Sequence, residues 1–364
     1  MKKPYSNFNA TMAIAVASFR SIIRSPSAVV FSLAFPLIFI IVFANIGGSS
    51  VTVDVGVAKT TDTLNPVYKI LANTKVINLI KDQSTDEMAK NLSKGKIDAI
   101  IDIQKNNSRP PFTLHIQYTK ASQPKDAILK SLLNSVFYQL NSQGGTAPQP
   151  VAEIKETTVS GREYKYIDFL LPGMLGFSLL SSGVFGTAFV FLSLRLTLVI
   201  KRFFATPVKK YSIVLGEALA RLIFSWIGAL FIILVGHYAF GFTLVHGFTT
   251  VVNMLILSAI GLIVFMGFGF IISGIAKNES TVPPLSNIIT LPQFLLSGTF
   301  FATTAFPSWL QGLSNILPLT YLNKAMRDVA FEGAGLGDVT HDLLILGIWF
   351  IIVYAVAVKT FKWE

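Results

Sequence analysis

The residue types that could do chemistry exclude most of it. The chain has no cysteine, so thiol nucleophiles, disulfides and thiolate metal sites are ruled out. Its four histidines, His115, His237, His246 and His341, include no pair at metal-ligand helical spacing, and a zinc site is not expected. G-x-x-x-x-G-K-[ST], G-x-S-x-G and H-E-x-x-H do not occur in the sequence, which leaves no loop to cradle a nucleotide phosphate and no recognisable catalytic constellation. What the spacing does offer is polarity set inside apolar runs. Glu217 and Arg221 stand one helical turn apart, either as an ion pair at the membrane interface or as part of a path that couples two sites. His237 follows in the same run without the chain of partners a proton relay needs, so a hydrogen-bonded structural role is expected. Ser286, Thr290, Gln293 and Ser297 fall at i, i+4, i+7 and i+11, on one helix face. Ser178, Ser182 and Gly186 repeat every four residues. Both faces avoid lipid. They either pack helices together through small residues and hydrogen bonds or line a shared passage.

One further stretch is charged in a single sense. Residues 195–213, RLTLVIKRFFATPVKKYSI, carry Arg195, Lys201, Arg202, Lys209 and Lys210 and no acid. They lie between two long apolar runs. A short basic loop between two spans stays in the cytoplasm by the positive-inside rule. Ala205, Thr206, Pro207 and Val208 read as a helix stop or turn. The stretch is thus a short basic elbow at the inner face.

The elements that must position these residues follow from composition. Of 364 residues, 52% are hydrophobic and 13% charged, with a mean hydropathy of +0.60. Soluble domains carry about 25% charged residues, so this is membrane composition. The net charge of +11 sits mainly at the ends of apolar runs, which fits membrane topology and not a nucleic-acid face. Six transmembrane helices are expected at about 28–46, 169–194, 213–240, 251–276, 282–301 and 343–358, with both termini cytoplasmic. The second is expected to continue as helix to Ile200, protrude from the bilayer and act as a lever. Pro36 is expected to kink the first. Residues 1–27 read as an amphipathic helix on the cytoplasmic surface, with Arg20 and Arg24 one turn apart. Residues 47–165 are different material: alternating strands near 51–57, 76–80, 97–103 and 112–118, and helices near 64–73, 84–93 and 124–140, make an α/β domain on the outer side. Residues 143–150 read as a linker, and 153–166 as the return to the membrane. Residues 302–342, with Lys324 and Arg327, are placed outside.

The order of these parts resembles a known family. The chain is similar to the permease subunit of ABC-2 type ATP-binding-cassette transporters that carry a large outer domain between the first two spans. YIDFLLPGM at 166–174 resembles the family's entry to span two. KRFFATPV at 201–208, followed by VLGE at 214–217, resembles its cytoplasmic coupling segment. SGTFF at 297–301, FPSWL at 306–310 and LPLTYL at 317–322 leading to AMR at 325–327 resemble the stretch between spans five and six. KGKIDAII at 94–101 resembles a strand entry in the outer domain. One departure is RLTLVI at 195–200, where family members usually carry a glutamate and a glycine.

The resemblance implies a transporter subunit in a bacterial cytoplasmic membrane, working as a homodimer or with a paired permease. ATP and magnesium would be bound by a separate ATPase subunit docked below. Lys201, Arg202, Phe203, Phe204, Thr206, Pro207 and Val208 would form the ATPase contact, with Lys209 and Lys210 beside them. Residues 302–332 would dip into the outer leaflet as short helices. Exported cargo would be hydrophobic or amphipathic, a drug-like compound or a lipid. A membrane receptor or scaffold with an outer binding domain is the competing class. It should have a cytoplasmic output domain, and the longest inner segment is the N-terminal lead of about 27 residues, short for a domain.

Overall fold

A computed structural model describes residues 6–25, 33–46, 53–74, 76–81, 83–93, 97–106, 110–119, 129–136, 152–159, 165–303 and 306–361. The chain divides into two compact units, Met1–Gly47 with Tyr166–Glu364, and Gly48–Lys165.

The membrane unit begins with α1, Asn7–Ile23, and α2, Phe35–Ile46. Pro36 sits in the first turn of α2 beside a π-wound turn at 33–34, where a wider backbone leaves room for its ring. Residues 28–32 of the expected first span lie outside the described residues.

The second unit follows. Its elements are β1 Val53–Val57, α3 Pro66–Asn73, β2 Ile77–Ile80, α4 Thr85–Ser93, β3 Ala99–Lys105, β4 Phe112–Thr119, α5 at 129–136 and β5 Ala152–Val159. The sheet order is β2-β1-β3-β4-β5. The neighbours pair in parallel except β3 with β4, which are antiparallel. Strand periodicity divides β3: Ala99, Ile101 and Ile103 join one core with Val67 and Leu71 of α3 and Leu129 and Leu133 of α5, while Ile100 packs with Met88 and Leu92 of α4. Asn65 caps α3 by accepting from the Val67 amide at 2.7 Å, and Pro66 takes the first position. The Ser84 hydroxyl accepts from the Glu87 amide and caps α4. The strand β5 was not expected; its stretch read as a plain return to the membrane. The linker at 143–150, residues 94–96 of the KGKIDAII motif and most of the expected 124–140 helix beyond α5 lie outside the described residues.

The membrane unit resumes with α6, Tyr166–Ser181, a π-helical segment at Ser182–Gly186, and α7, Thr187–Leu196, together one 31-residue apolar helix. A short α8, Val199–Phe204, leads to α9, Lys210–Phe240, and α10, Phe248–Ile275. Then come α11, Val282–Leu296, α12, Ser308–Ser314, α13, Pro318–Arg327 with a π turn at Asp328–Glu332, and α14, Thr340–Thr360. Among the described residues four helices are long and apolar enough to cross a membrane: Tyr166–Leu196, Lys210–Phe240, Phe248–Ile275 and Thr340–Thr360.

Two expectations are corrected here. The second span does not run on as helix to Ile200. It stops at Thr197, and Leu198 takes φ +59°, so the chain turns before α8. The fifth span does not reach Phe301. With 15 residues α11 is about 22 Å long, short of the ~30 Å hydrocarbon core. It ends because Ser297 leaves helical geometry and Gly298 turns left-handed at φ +69°.

Candidate functional site

The first site is the basic elbow. Helix α7 closes with the Thr197 hydroxyl on the Ser193 carbonyl at 2.7 Å. Arg195, in its last turn, donates to the Ala276 carbonyl at 2.5 Å and ties α7 to the C-terminus of α10, where a cation is favoured by the helix dipole. Beyond Leu198, the short α8 is anchored by the buried Ile200. Lys201, Arg202, Thr206, Pro207, Lys209 and Lys210 are exposed, and Val208 is half-buried. Phe203 and Phe204 end α8. The Lys209 ammonium lies 5.8 Å from the centre of the Tyr211 ring.

Behind the elbow, α9 carries a charge pair deeper than expected. Glu217 and Arg221 are 2% and 4% exposed, and Arg221 Nη2 is 2.7 Å from Glu217 Oε1. The expected ion pair is present, and it is buried inside the protein. The guanidinium also donates to the Ser182 carbonyl at 3.3 Å and to the Gly186 carbonyl. Both acceptors belong to the π segment, where five-residue closure disturbs the normal carbonyl ladder. A Cβ on Gly186 would lie 1.8 Å from Arg221 Nη1, so only glycine admits the guanidinium. Arg221 therefore clasps span two at its one irregular point. Helix spacing gave the Glu217–Arg221 pair; nothing in the period of the sequence marked the π winding. Glu217 also faces an open cavity of about 280 Å³ shared with Ser18 and Ser21 of α1 and Val190 and Leu194 of α7.

The polar stripe of α11 is buried within the protomer at Ser286, Thr290, Gln293 and Ser297. It faces α13. The Leu319 amide donates to Gln293 Oε1 at 3.4 Å, and Asn323 Nδ2 donates to the Ser297 carbonyl at 3.1 Å. Ser178 and Ser182 of the second stripe are half-buried on α6 and the π segment. Between the stripes lies an aromatic group that sequence spacing did not bring together. Phe177 and Phe294 pack at a tilt with ring centres 4.0 Å apart, and Phe35, Phe39 and Phe300 surround them at 4.9–6.4 Å.

At the far end of span two, two of the four motif stretches meet, 166–174 and 297–327. The Tyr166 hydroxyl donates to the Phe300 carbonyl at 2.8 Å. The buried Asp168 accepts from the Thr243 amide at 2.7 Å. The Arg327 guanidinium lies 3.7 Å from the centre of the Phe169 ring, donates from Nε to the Phe169 carbonyl at 3.0 Å, and reaches the Gly298 carbonyl. The short helix α13 and the turn at 298–300 are thereby tied to the entry of span two. Lys324 of α13 binds Asp342 at 2.8 Å. Burial pulls the Lys324 pKa down, but the hydrogen bond and charge of Asp342, with Asp328 and Glu332 beyond it, carry it above its ordinary value. His237 Nδ1 bonds the Phe242 carbonyl at 2.8 Å across the end of α9, a structural role. Among the described residues no cluster of histidine and carboxylate side chains could hold a metal ion.

The basic elbow and the tied short helix α13 are separated by the 31-residue helix Tyr166–Leu196, about 46 Å of rise. An exposed basic surface thus lies at one end of a long apolar helix, and α13 at the other. The family described as ABC-2 family transporter protein matches residues 26–359. A protein named ABC transporter G family member 20, from Dictyostelium discoideum, is 26% identical over 371 residues; the match covers 96% of this chain, which spans half the length of that relative. Probable multidrug ABC transporter permease YbhS of Escherichia coli is 19% identical over 377 residues, covering all of this chain and 98% of YbhS. Inner membrane transport permease YadH of Escherichia coli is 24% identical over 204 residues, 55% of this chain and 75% of YadH. YbhS and YadH are named as permeases, and this chain, with its long apolar helices, is a multi-pass membrane protein belonging to the ABC-2 transporter family.

Proposed function

We propose that this chain is the permease subunit of an ATP-driven exporter in a bacterial cytoplasmic membrane. A separate ATP-binding-cassette subunit binds ATP and magnesium and docks on the elbow, and a second permease, identical or paired, completes the membrane unit. Both termini and the elbow face the cytoplasm; the α/β unit faces outward. The observation that carries this reading is the exposed basic set on and around α8, Lys201, Arg202, Lys209 and Lys210, between two 31-residue apolar helices. Lys201 and Arg202 sit one turn from Leu198, where the helix direction breaks, and Lys209 and Lys210 open α9, so a push on α8 reaches α7 and α9 together. Ser178 and Ser182, half-buried, supply the polar part of a wall for an amphipathic cargo such as a drug-like compound or a lipid, and Ser286, Thr290, Gln293 and Ser297 join it when α11 and α13 part. The test is charge reversal at Lys201, Arg202, Lys209 and Lys210 together, with ATP hydrolysis by the co-expressed partner read in reconstituted vesicles. Stimulation by the permease is expected to vanish. Full stimulation by the reversed variant would reject the elbow as the docking site.

A further inference from the structure

We propose that α1 and the neighbouring part of α9 form a binding site for one anionic phospholipid. Helix α1 contains no acidic residue. One side of it packs on α9: Ala15 and Ile22 are buried, and a Cβ on Gly216 would lie 2.7 Å from Ile14 Cγ2, so the two helices touch closely there. The other side is open. Met12, Val16, Phe19 and Ile23 of α1, with Ile223 of α9, line a cavity of about 370 Å³, and Arg20 and Arg24 form part of its wall.

Both arginines are exposed, one turn apart, and neither forms an ion pair among the described residues. Ile227 and Leu230, one and two turns beyond Ile223 on the same face of α9, are also exposed. The apolar track therefore runs from the arginine pair along a helix long enough to cross the membrane. A fork of guanidinium donors matches a phosphate, and the track matches an acyl chain. Two exposed cations at the mouth of a groove that continues along a helix long enough to cross a membrane call for an amphiphile with negative charge at one end only. A phospholipid with an anionic headgroup has that form, and the surrounding bilayer supplies it. The bound lipid would hold α1 against α9, on the side away from the cavity that Glu217 lines.

The test uses the purified full chain in nanodiscs of phosphatidylcholine with increasing phosphatidylglycerol, with retained lipid counted by native mass spectrometry. One phosphatidylglycerol is expected to be retained in preference to phosphatidylcholine. Arg20→Gln with Arg24→Gln is expected to weaken that retention about 25-fold, each charge near an anionic surface contributing roughly fivefold. Lys277→Gln with Lys359→Gln removes the same charge from the same end of the helix bundle and is expected to bind as the unaltered chain does. Should the arginine pair not fold, each single change is read instead, at about fivefold each. Equal retention in the arginine variants, or equal loss in the lysine control, overturns the proposal. Indifference of the unaltered chain to phosphatidylglycerol overturns it as well.

Discussion

Arg221 is the residue on which the interior of the membrane unit turns. A buried guanidinium is stable only while its partners stay in place, and its partners come from two helices: Glu217 on its own turn, and the carbonyls of Ser182 and Gly186 on span two. Arg221→Met strands Glu217 as a buried, unpaired charge, at a cost of about 3–5 kcal/mol. Glu217→Gln combined with Arg221→Met removes both charges and is expected to recover most of that loss in thermal unfolding of the purified chain. Gly186→Ala evicts the same guanidinium and is expected to add little on top of Arg221→Met, because both act on one contact. A double variant no more stable than Arg221→Met, or full additivity with Gly186→Ala, would show that the clasp is incidental. At this scale the sequence was half legible. The i,i+4 spacing named the pair, but burial and acceptors depend on where span two closes its hydrogen bonds five residues along instead of four, and Ser182 and Gly186 look like ordinary small residues in a helix.

Element by element, apolar runs predicted helices well and their ends poorly. The runs at 213–240 and 251–276 became α9 and α10 within a few residues, because a charge-free helical stretch has few alternatives in a membrane. The ends of α7 and α11 were misread because hydrophobicity continues past them: Leu198 and Phe301 are as apolar as the residues before them. Backbone turns at Leu198 and Gly298 decide those ends instead. The strand β5 was missed for the opposite reason. Glu153, Lys155, Glu156 and Thr157 are polar enough to pass for a linker, yet β5 pairs along its full length with β4. Leu198 gives a direct test of the break. A left-handed residue costs about 1–2 kcal/mol when it carries a side chain, and most when that side chain is β-branched. Leu198→Gly is therefore expected to keep or raise the melting temperature, and Leu198→Val to lower it and weaken stimulation of the partner ATPase. If Leu198→Val keeps full stimulation and stability, the left-handed turn is not required for the elbow.

For the whole molecule the central claim is one of sidedness: the basic elbow lies on the side where an ATPase can reach it, and the α/β unit lies on the other. Charge placement supports this, since the outer loop at 241–250 has no lysine or arginine while 195–213 has five. The chain also lends itself to the measurement, because it has no cysteine and any cysteine introduced is the sole thiol. Lys201→Cys on α8 and Ser135→Cys on α5 both sit at exposed positions. Each variant is treated with a membrane-impermeant maleimide, once in intact spheroplasts and once in inverted vesicles. The account predicts that Lys201→Cys is labelled only in inverted vesicles and Ser135→Cys only in spheroplasts. Labelling of Lys201→Cys from the outer face of spheroplasts would contradict it.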